Sequence, residues 1–210
     1  MKNLRQTYDE IAESWSNFRS KPANYIPFKI FRGSTTDIGC GNCRNLIPIA
    51  RKGYKCVGLD FSKNMIKQAR KMIEKNNANI DLILADAKAL PLKNKTFDFV
   101  LCAATLHHLV NNDRIKALEE MKRVARKKIF LSVWYRWQLM HVKNLLKNIF
   151  SFGDVYVEWK KGGNRLKRYY HLYTKHELER DIQAAGLEIE NIQITKESKK
   201  NIIAICKVNK

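Results

Sequence analysis

A chain of 210 residues has the length of one α/β domain, enough for a substantial core and too short for two ordinary domains. Its 45% hydrophobic content excludes a disordered chain, and no run approaches the roughly 18 apolar residues of a membrane helix. The 40 basic residues outweigh 20 acidic ones, a net charge of +20 that attracts polyanions and makes nucleic acid the natural partner class, although lysine supplies 27 of the 40 and a compositional bias of the source competes as an explanation.

The first residues, Met1 to Gln6, lead into a polar helical stretch with no apolar leader segment, which predicts a cytoplasmic protein. Residues 1 to 32 read as one or two helices ahead of the first strand, ending in the aromatic and apolar run Tyr25-Ile26-Pro27-Phe28-Lys29-Ile30-Phe31. Strands are predicted near Thr35 to Ile38, Lys55 to Leu59, Ile80 to Leu84, Phe97 to Ala103 and Lys128 to Val133. Helical periodicity lies between them, from Asn42 to Lys52, Asn64 to Asn76 and Arg114 to Arg126. Such alternation is the mark of βαβ units and a parallel sheet. Residues 135 to 173 then interrupt the pattern and carry 8 basic residues against 2 acidic ones. An insertion there lies at the carboxyl end of the sheet, where α/β folds bind ligands, and is the expected substrate-recognition element. Thr174-Lys175-His176-Glu177 is a capping box opening a helix that Gly186 closes. Strands Leu187 to Thr195 and Asn201 to Val208 follow as an antiparallel hairpin. The fold class is therefore α/β and Rossmann-like: a mostly parallel seven-stranded sheet with a C-terminal antiparallel hairpin, in one domain spanning 1–210.

Asp37-Ile38-Gly39-Cys40-Gly41-Asn42 follows a strand and opens a helix, the setting in which a glycine turn brings backbone close to a ligand and presents helix N-terminal amides. Asp60 ends the second strand, where a carboxylate can accept from both ribose hydroxyls, and Asp86 ends the third, where it can accept from an adenine amino group. This pattern suits S-adenosylmethionine, with Asp37 orienting its ammonium. NAD competes, but its G-x-G-x-x-G fingerprint fails at Arg44. Phe61, Ala87, Ala103 and His108 complete the expected cofactor wall, and Tyr8 either closes over the cofactor or only packs. Cys40 and Cys43 form a C-x-x-C that elsewhere signals zinc or redox chemistry; no second pair completes a zinc site, and no metal is expected. Five cysteines at irregular spacing argue against a disulfide framework.

The fourth strand ends Cys102-Ala103-Ala104-Thr105-Leu106-His107-His108-Leu109, without the Asp/Asn-Pro-Pro-aromatic motif of exocyclic-amine methylation and without the proline-flanked cysteine of base-carbon methylation. Oxygen acceptors remain. Tyr8-Asp9-Glu10-Ile11-Ala12 with Trp15 and Phe18-Arg19-x-Lys21-Pro22, the glycine turn, Leu106-His107-His108-Leu109 and Arg168-Tyr169-Tyr170-His171-Leu172-Tyr173 together resemble the eukaryotic-type tRNA wobble-uridine carboxymethyl methyltransferases. The resemblance departs from the family at Cys43, where glycine is usual. It implies esterification of the carboxylate of 5-carboxymethyluridine in the tRNA anticodon, and a small zinc-containing activator subunit as partner. A carboxylate needs alignment rather than a general base, and an arginine fork suits it. Arg19 and Arg168 are the candidates; each has a plainer reading, Arg19 on a solvated helix face and Arg168 against phosphates. Trp134, His107, Tyr169, Tyr170 and His171 offer stacking faces or hydrogen bonds to a splayed-out base. At least one of Tyr169, Tyr170 and Tyr173 is expected in the core, and one of the two adjacent histidines is expected to be structural. Methylation of a small quinone-like precursor, or an RNA-binding protein on a degenerate fold, are the competing functions.

Overall fold

The computed structural model describes residues 3–137, 153–161, 164–196 and 200–208. In chain order it contains α1 (Leu4–Phe18), β1 (Thr35–Ile38), α2 (Ile47–Ala50), β2 (Cys56–Asp60), α3 (Lys63–Lys75), β3 (Asp81–Leu84), β4 (Phe97–Ala103), α4 (Asn112–Val124), β5 (Ala125–Trp134), β6 (Asp154–Lys161), β7 (Asn164–His171), α5 (Lys175–Ala184), β8 (Glu188–Ile194) and β9 (Asn201–Lys207). Seven strands form one sheet in the order β3-β2-β1-β4-β5-β9-β8. The first five run parallel, and β9 is antiparallel to both β5 and β8. The strand order reverses direction between β1 and β4, which places a crevice at their carboxyl ends.

Every residue of β1 and β2 is buried, as in strands covered on both faces. The two threonines of β1 are tolerated because they find partners: Thr36 Oγ1 donates to the Val57 carbonyl (3.0 Å) and Thr35 Oγ1 to that of Gly33 (3.0 Å). One core packs Ile38, Leu59, Val100 and Leu131 against Leu118 and Met121 of α4 and Leu178 and Ile182 of α5. The other packs Phe99, Leu101 and Phe130 against Phe31, Leu46, Ile49 and Ala69 of α3. The capping box is present, with Thr174 and Glu177 bonded reciprocally at the start of α5, and Gly186 closes it at φ +67°.

Two sequence expectations change. Helix does not run from Asn42 to Lys52; only α2 is helical, because Cys43 takes φ +62°, a left-handed conformation no helix accommodates. The α4 helix stops at Val124 rather than Arg126, because Ala125 already pairs with Phe97 and β5 begins there. Of the insertion at 135–173, residues 138–152 and 162–163 lie outside the described residues; the remainder includes β6 and β7, a separate two-stranded hairpin the sequence reading did not anticipate. Alternation gives it two faces. Val155, Val157, Trp159, Leu166, Arg168 and Tyr170 share one, and Tyr156, Glu158, Lys160, Arg165, Lys167, Tyr169 and His171 the other.

The first of these faces meets α1, where Trp159 Nε1 donates to Ser14 Oγ (3.0 Å) and its ring meets Phe18 edge-on. α1 is in turn fixed to the start of α3: Asp9 Oδ1 accepts from Ser62 Oγ (2.6 Å) and the Asn64 amide (3.0 Å), and Asn64 Nδ2 donates to the Asp9 carbonyl (3.0 Å). Asp9→Ala removes two carboxylate hydrogen bonds, an expected loss of about 2 kcal/mol. Hydrogen exchange should show faster exchange over residues 4–18 with the sheet unaffected; uniform protection in the variant would contradict the latch.

Candidate functional site

A cleft of about 880 Å³, partly open to solvent, lies at the carboxyl ends of β1, β2, β3 and β4 and is roofed by Leu4, Tyr8 and Trp15 of α1. Its floor is the glycine turn. Gly39 (φ +72°) and Gly41 (φ +56°) occupy left-handed conformations, and each is also hemmed in. A Cβ on Gly39 would collide with Thr105, and one on Gly41 would come within 3.1 Å of the Trp15 ring.

Asp60 organises this floor. Its Oδ2 accepts from the Gly41 amide and its Oδ1 from the Ser62 amide, both at 2.9 Å. Burial pushes its carboxyl up to about 6, against the lowering effect of those amides. Asp86 is also on the lining; Oδ1 accepts from the Lys88 amide (3.0 Å) and the side chain is partly exposed. Asp37 is not on the lining. It is 1% exposed, both carboxylate oxygens lack a hydrogen-bond partner among the described residues, and burial followed by the nearby Asp60 charge pushes its carboxyl well up. An orphaned acid beneath a cleft that already carries two others fits a cationic, hydroxyl-bearing ligand.

Gly39, Cys40, Gly41, Phe61, Ala87, Ala103, His108 and Tyr8 all line the cleft, together with Asp60 and Asp86. Asn42 does not: its Nδ2 donates to Ser16 Oγ (2.9 Å) and the Arg19 carbonyl (3.0 Å), holding the end of α1. Sequence reasoning missed Arg44, Thr105 and Met65 on the lining, and left Trp15 without a role; Arg44 was noticed only as the residue that breaks the NAD pattern. Both thiols of the C-x-x-C are buried, and a mutual hydrogen bond, then burial, pushes Cys40 well up.

One end of the cleft meets the hairpin. Tyr8 Oη lies 2.8 Å from His108 Nε2, and His108 Nδ1 lies 2.9 Å from the Tyr169 carbonyl oxygen. A carbonyl only accepts, so Nδ1 carries the proton and Nε2 accepts from the Tyr8 hydroxyl. Burial lowers His108 to about 3 and His107 well below its ordinary range, so both imidazoles are neutral. His107 Nδ1 accepts from the Trp134 amide (3.1 Å), a structural contact. Tyr170 is 2% exposed and forms the centre of an aromatic nest: Trp134 stacks on it at 4.4 Å, His107 at 5.1 Å, and His108 meets it edge-on at 4.3 Å.

Arg168 lies among these groups. It is 6% exposed, its guanidinium carbon stands 4.9 Å from the Trp159 ring centroid and 5.3 Å from that of Tyr170, and its Nε has no hydrogen-bond partner among the described residues. No carboxylate pairs with it among the described residues. Its charge is felt at Tyr8, His107, His108 and Tyr170. Tyr169 and His171 are not brought into this group; they share the other face, where Tyr169 Oη donates to Asp154 Oδ1 (2.8 Å) and His171 Nδ1 lies 2.7 Å from the same oxygen. Tyr173 is fully buried, its hydroxyl bonded to Asp181 (2.9 Å). Arg19 lines a separate cavity, with its guanidinium 5.3 Å from the Phe18 ring.

Residues 36–128 match a family model described as a methyltransferase domain. A protein of Schizosaccharomyces pombe named tRNA (carboxymethyluridine(34)-5-O)-methyltransferase is 27% identical, over 87% of this chain and 87% of its own length. A Saccharomyces cerevisiae protein of the same name is 31% identical over 53% of this chain, which spans only 39% of that relative. Among solved structures, a SAM-dependent methyltransferase of Methanosarcina mazei superposes with a TM-score of 0.74 at 20% identity, over 88% of this chain and 98% of that one. Magnesium protoporphyrin IX methyltransferase from Synechocystis, solved with bound SAH, superposes with a TM-score of 0.66 at 17% identity, covering 98% and 85% of the two chains. With a methyltransferase-domain match, relatives named methyltransferases and solved methyltransferases of the same fold, the chain is an S-adenosylmethionine-dependent methyltransferase with a class I, Rossmann-like fold, similar in sequence to the tRNA carboxymethyluridine methyltransferases.

Proposed function

We propose that this enzyme esterifies the carboxylate of 5-carboxymethyluridine at the wobble position of a tRNA anticodon, giving 5-methoxycarbonylmethyluridine. The observation that carries the reading is the Arg168 guanidinium, buried beside the cofactor cleft without an anionic partner among the described residues. A desolvated cation costs several kcal/mol unless a charge compensates it, about the scale at which a bound carboxylate becomes its natural complement. Its planar fork can hold one carboxylate and leave an oxygen lone pair free to react. Names of the yeast relatives support the same acceptor.

The bound cofactor supplies an electrophilic methyl group. Asp60 is suited to its ribose hydroxyls, Asp86 to the adenine amino group, and Asp37 to the field around its cationic end. The acceptor is already ionised at neutral pH, so no base is required. Consistent with that, His108 and His107 are held neutral well below neutral pH, and burial raises Tyr8 well above its ordinary range. The contribution of these residues is then orientation and exclusion of water, with Trp134 and Tyr170 providing the apolar wall.

The proposal extends to a tRNA-engaging role for the 135–173 insertion, to one methyltransferase domain over 1–210 with 1–32 as an N-terminal addition, and to a cytoplasmic setting; no helix among the described residues is long and apolar enough to cross a membrane. It also includes a small zinc-containing activator subunit. What supports that partner is the open edge of the sheet at β3, where Leu84 is 56% exposed and Leu82 and Ile83 are half-buried, since an apolar edge of this kind invites a further strand.

The decisive experiment incubates tRNA bearing 5-carboxymethyluridine with the enzyme and methyl-labelled cofactor, with and without the activator. Label should enter and be released by mild alkali; alkali-stable label would identify an amine, carbon or ether product and end the ester reading. Arg168→Ala should lower kcat/KM for tRNA about a hundredfold, the order expected for losing one member of a buried charge pair, while cofactor Kd by calorimetry stays within about twofold. Equal losses in both would remove its assigned role. Ribose hydroxyls favour ionised Asp60, so cofactor affinity should be about half its full value near pH 6, close to full at pH 7 and about tenfold weaker at pH 5 than at pH 7. Asp60→Asn should flatten this profile, and an equal affinity at the two pH values in the unaltered enzyme would contradict the carboxylate's role.

A further inference from the structure

A second cavity, about 820 Å³ and partly open to solvent, is lined by the segment from Phe18 to Tyr25 together with Arg44. Arg44 also lines the cofactor cleft, so the two spaces adjoin at its guanidinium. Three cations border the second cavity, Arg19, Lys21 and Arg44, and no acidic residue among the described residues does. None of the three is ion-paired to a carboxylate among the described residues. Burial disfavours the Arg44 cation, against the favourable effect of Tyr25, and the nearby Arg19 charge adds to the cost. Like charges gathered without an anion raise the energy of the empty cavity and lower it again when an oxyanion enters.

Arg44 and the backbone that carries the other two cations are held in place. Arg44 Nη1 donates to the Lys21 carbonyl at 2.5 Å, and its guanidinium carbon stands 5.9 Å from the Trp15 ring centroid. The segment carrying the other two cations is pinned at both ends, by Asn42 Nδ2 to the Arg19 carbonyl (3.0 Å) and by the Ala23 amide to Asn45 Oδ1 (3.0 Å). Arg19 is joined to the acceptor region by packed rings: its guanidinium carbon stands 5.3 Å from the Phe18 ring centroid, Phe18 meets Trp159 edge-on at 5.9 Å, and the Arg168 guanidinium carbon stands 4.9 Å from the Trp159 ring centroid. Cations thus stand at both ends of this packed path, Arg168 at the acceptor end and Arg19 at the cavity.

We infer that this cavity is a phosphodiester subsite, in which Lys21, Arg19 and Arg44 take one backbone phosphate of the RNA that presents the acceptor uridine. The inference rests on RNA being the substrate, and phosphate contacts of this kind fix register without reading sequence. Lys21 is the discriminating residue, since it lines this cavity and not the cofactor cleft.

The test measures binding of an anticodon stem-loop with plain uridine at the wobble position, over a range of potassium chloride concentrations. Lys21→Ala should weaken binding several-fold and reduce the slope of log K against log salt by about 1, Lys21→Arg should retain both, and cofactor affinity should be unchanged. A slope and affinity equal to the unaltered enzyme, or a matching loss of cofactor affinity, would overturn the assignment. Inorganic phosphate should compete no better than chloride at equal ionic strength; strong competition that depends on Lys21 would give the cavity to a free phosphate and overturn the RNA assignment. Binding to plain uridine does not require the ester reaction, so the two readings fail separately. A Lys21-dependent slope without alkali-labile label sinks the reaction and keeps the subsite, whereas labelled tRNA with Lys21-independent binding does the reverse.

Discussion

The architecture of the site depends on one buried carboxylate bridging two loops. Asp60 ends β2, yet its oxygens accept from Gly41, in the turn after β1, and from Ser62, at the start of α3. The first bond holds a glycine turn in a conformation that a side chain would obstruct; the second sets the origin of the helix to which α1 is latched. The floor and the roof of the cofactor cleft are thus positioned from the same residue. Its elevated pKa reflects that arrangement, because a carboxylate removed from water is held there by main-chain amides rather than by a cation.

The acceptor end follows a different principle. Arg168 is placed against aromatic faces and neutral imidazoles instead of acids, which leaves its charge available for a ligand. Hairpin alternation accomplishes this with two residues, Arg168 and Tyr170, while their neighbours Tyr169 and His171 share the opposite face and bond to Asp154. The positive cavity at Arg19, Lys21 and Arg44 lies where α1 ends and the glycine turn begins, so the helix that roofs the cleft also delivers the segment that borders the cavity.

Much of this was readable from residue order. The strands of the parallel sheet, the Thr174 capping box and the final antiparallel pair have local signatures, and the structure reproduces them within a few residues. Acids at the ends of β2 and β3 were legible because strand ends converge on the switch point whatever the loops do. Less legible were features set by backbone dihedrals and by long-range contact. The one hint that Cys43 is left-handed is the glycine usual at that position in the resembling family, and periodicity alone made the helix there seem longer than it is. In the insertion, basic and aromatic residues occupy both faces of β6 and β7, so their period-two alternation was masked and the consecutive Arg168, Tyr169, Tyr170 and His171 looked like one functional group. Thr105 reaches the cleft only through folding, 66 residues from Gly39, and no spacing rule links the two.

The contact between His108 and Tyr169 uses the carbonyl of residue 169 and not its ring. Any amino acid at that position therefore supplies the same acceptor, and the imidazole is anchored by a group that never titrates. The lining around the guanidinium is accordingly proton-silent near neutrality, and the electrostatic character of the acceptor end is governed by Arg168 and by whatever anion is delivered to it.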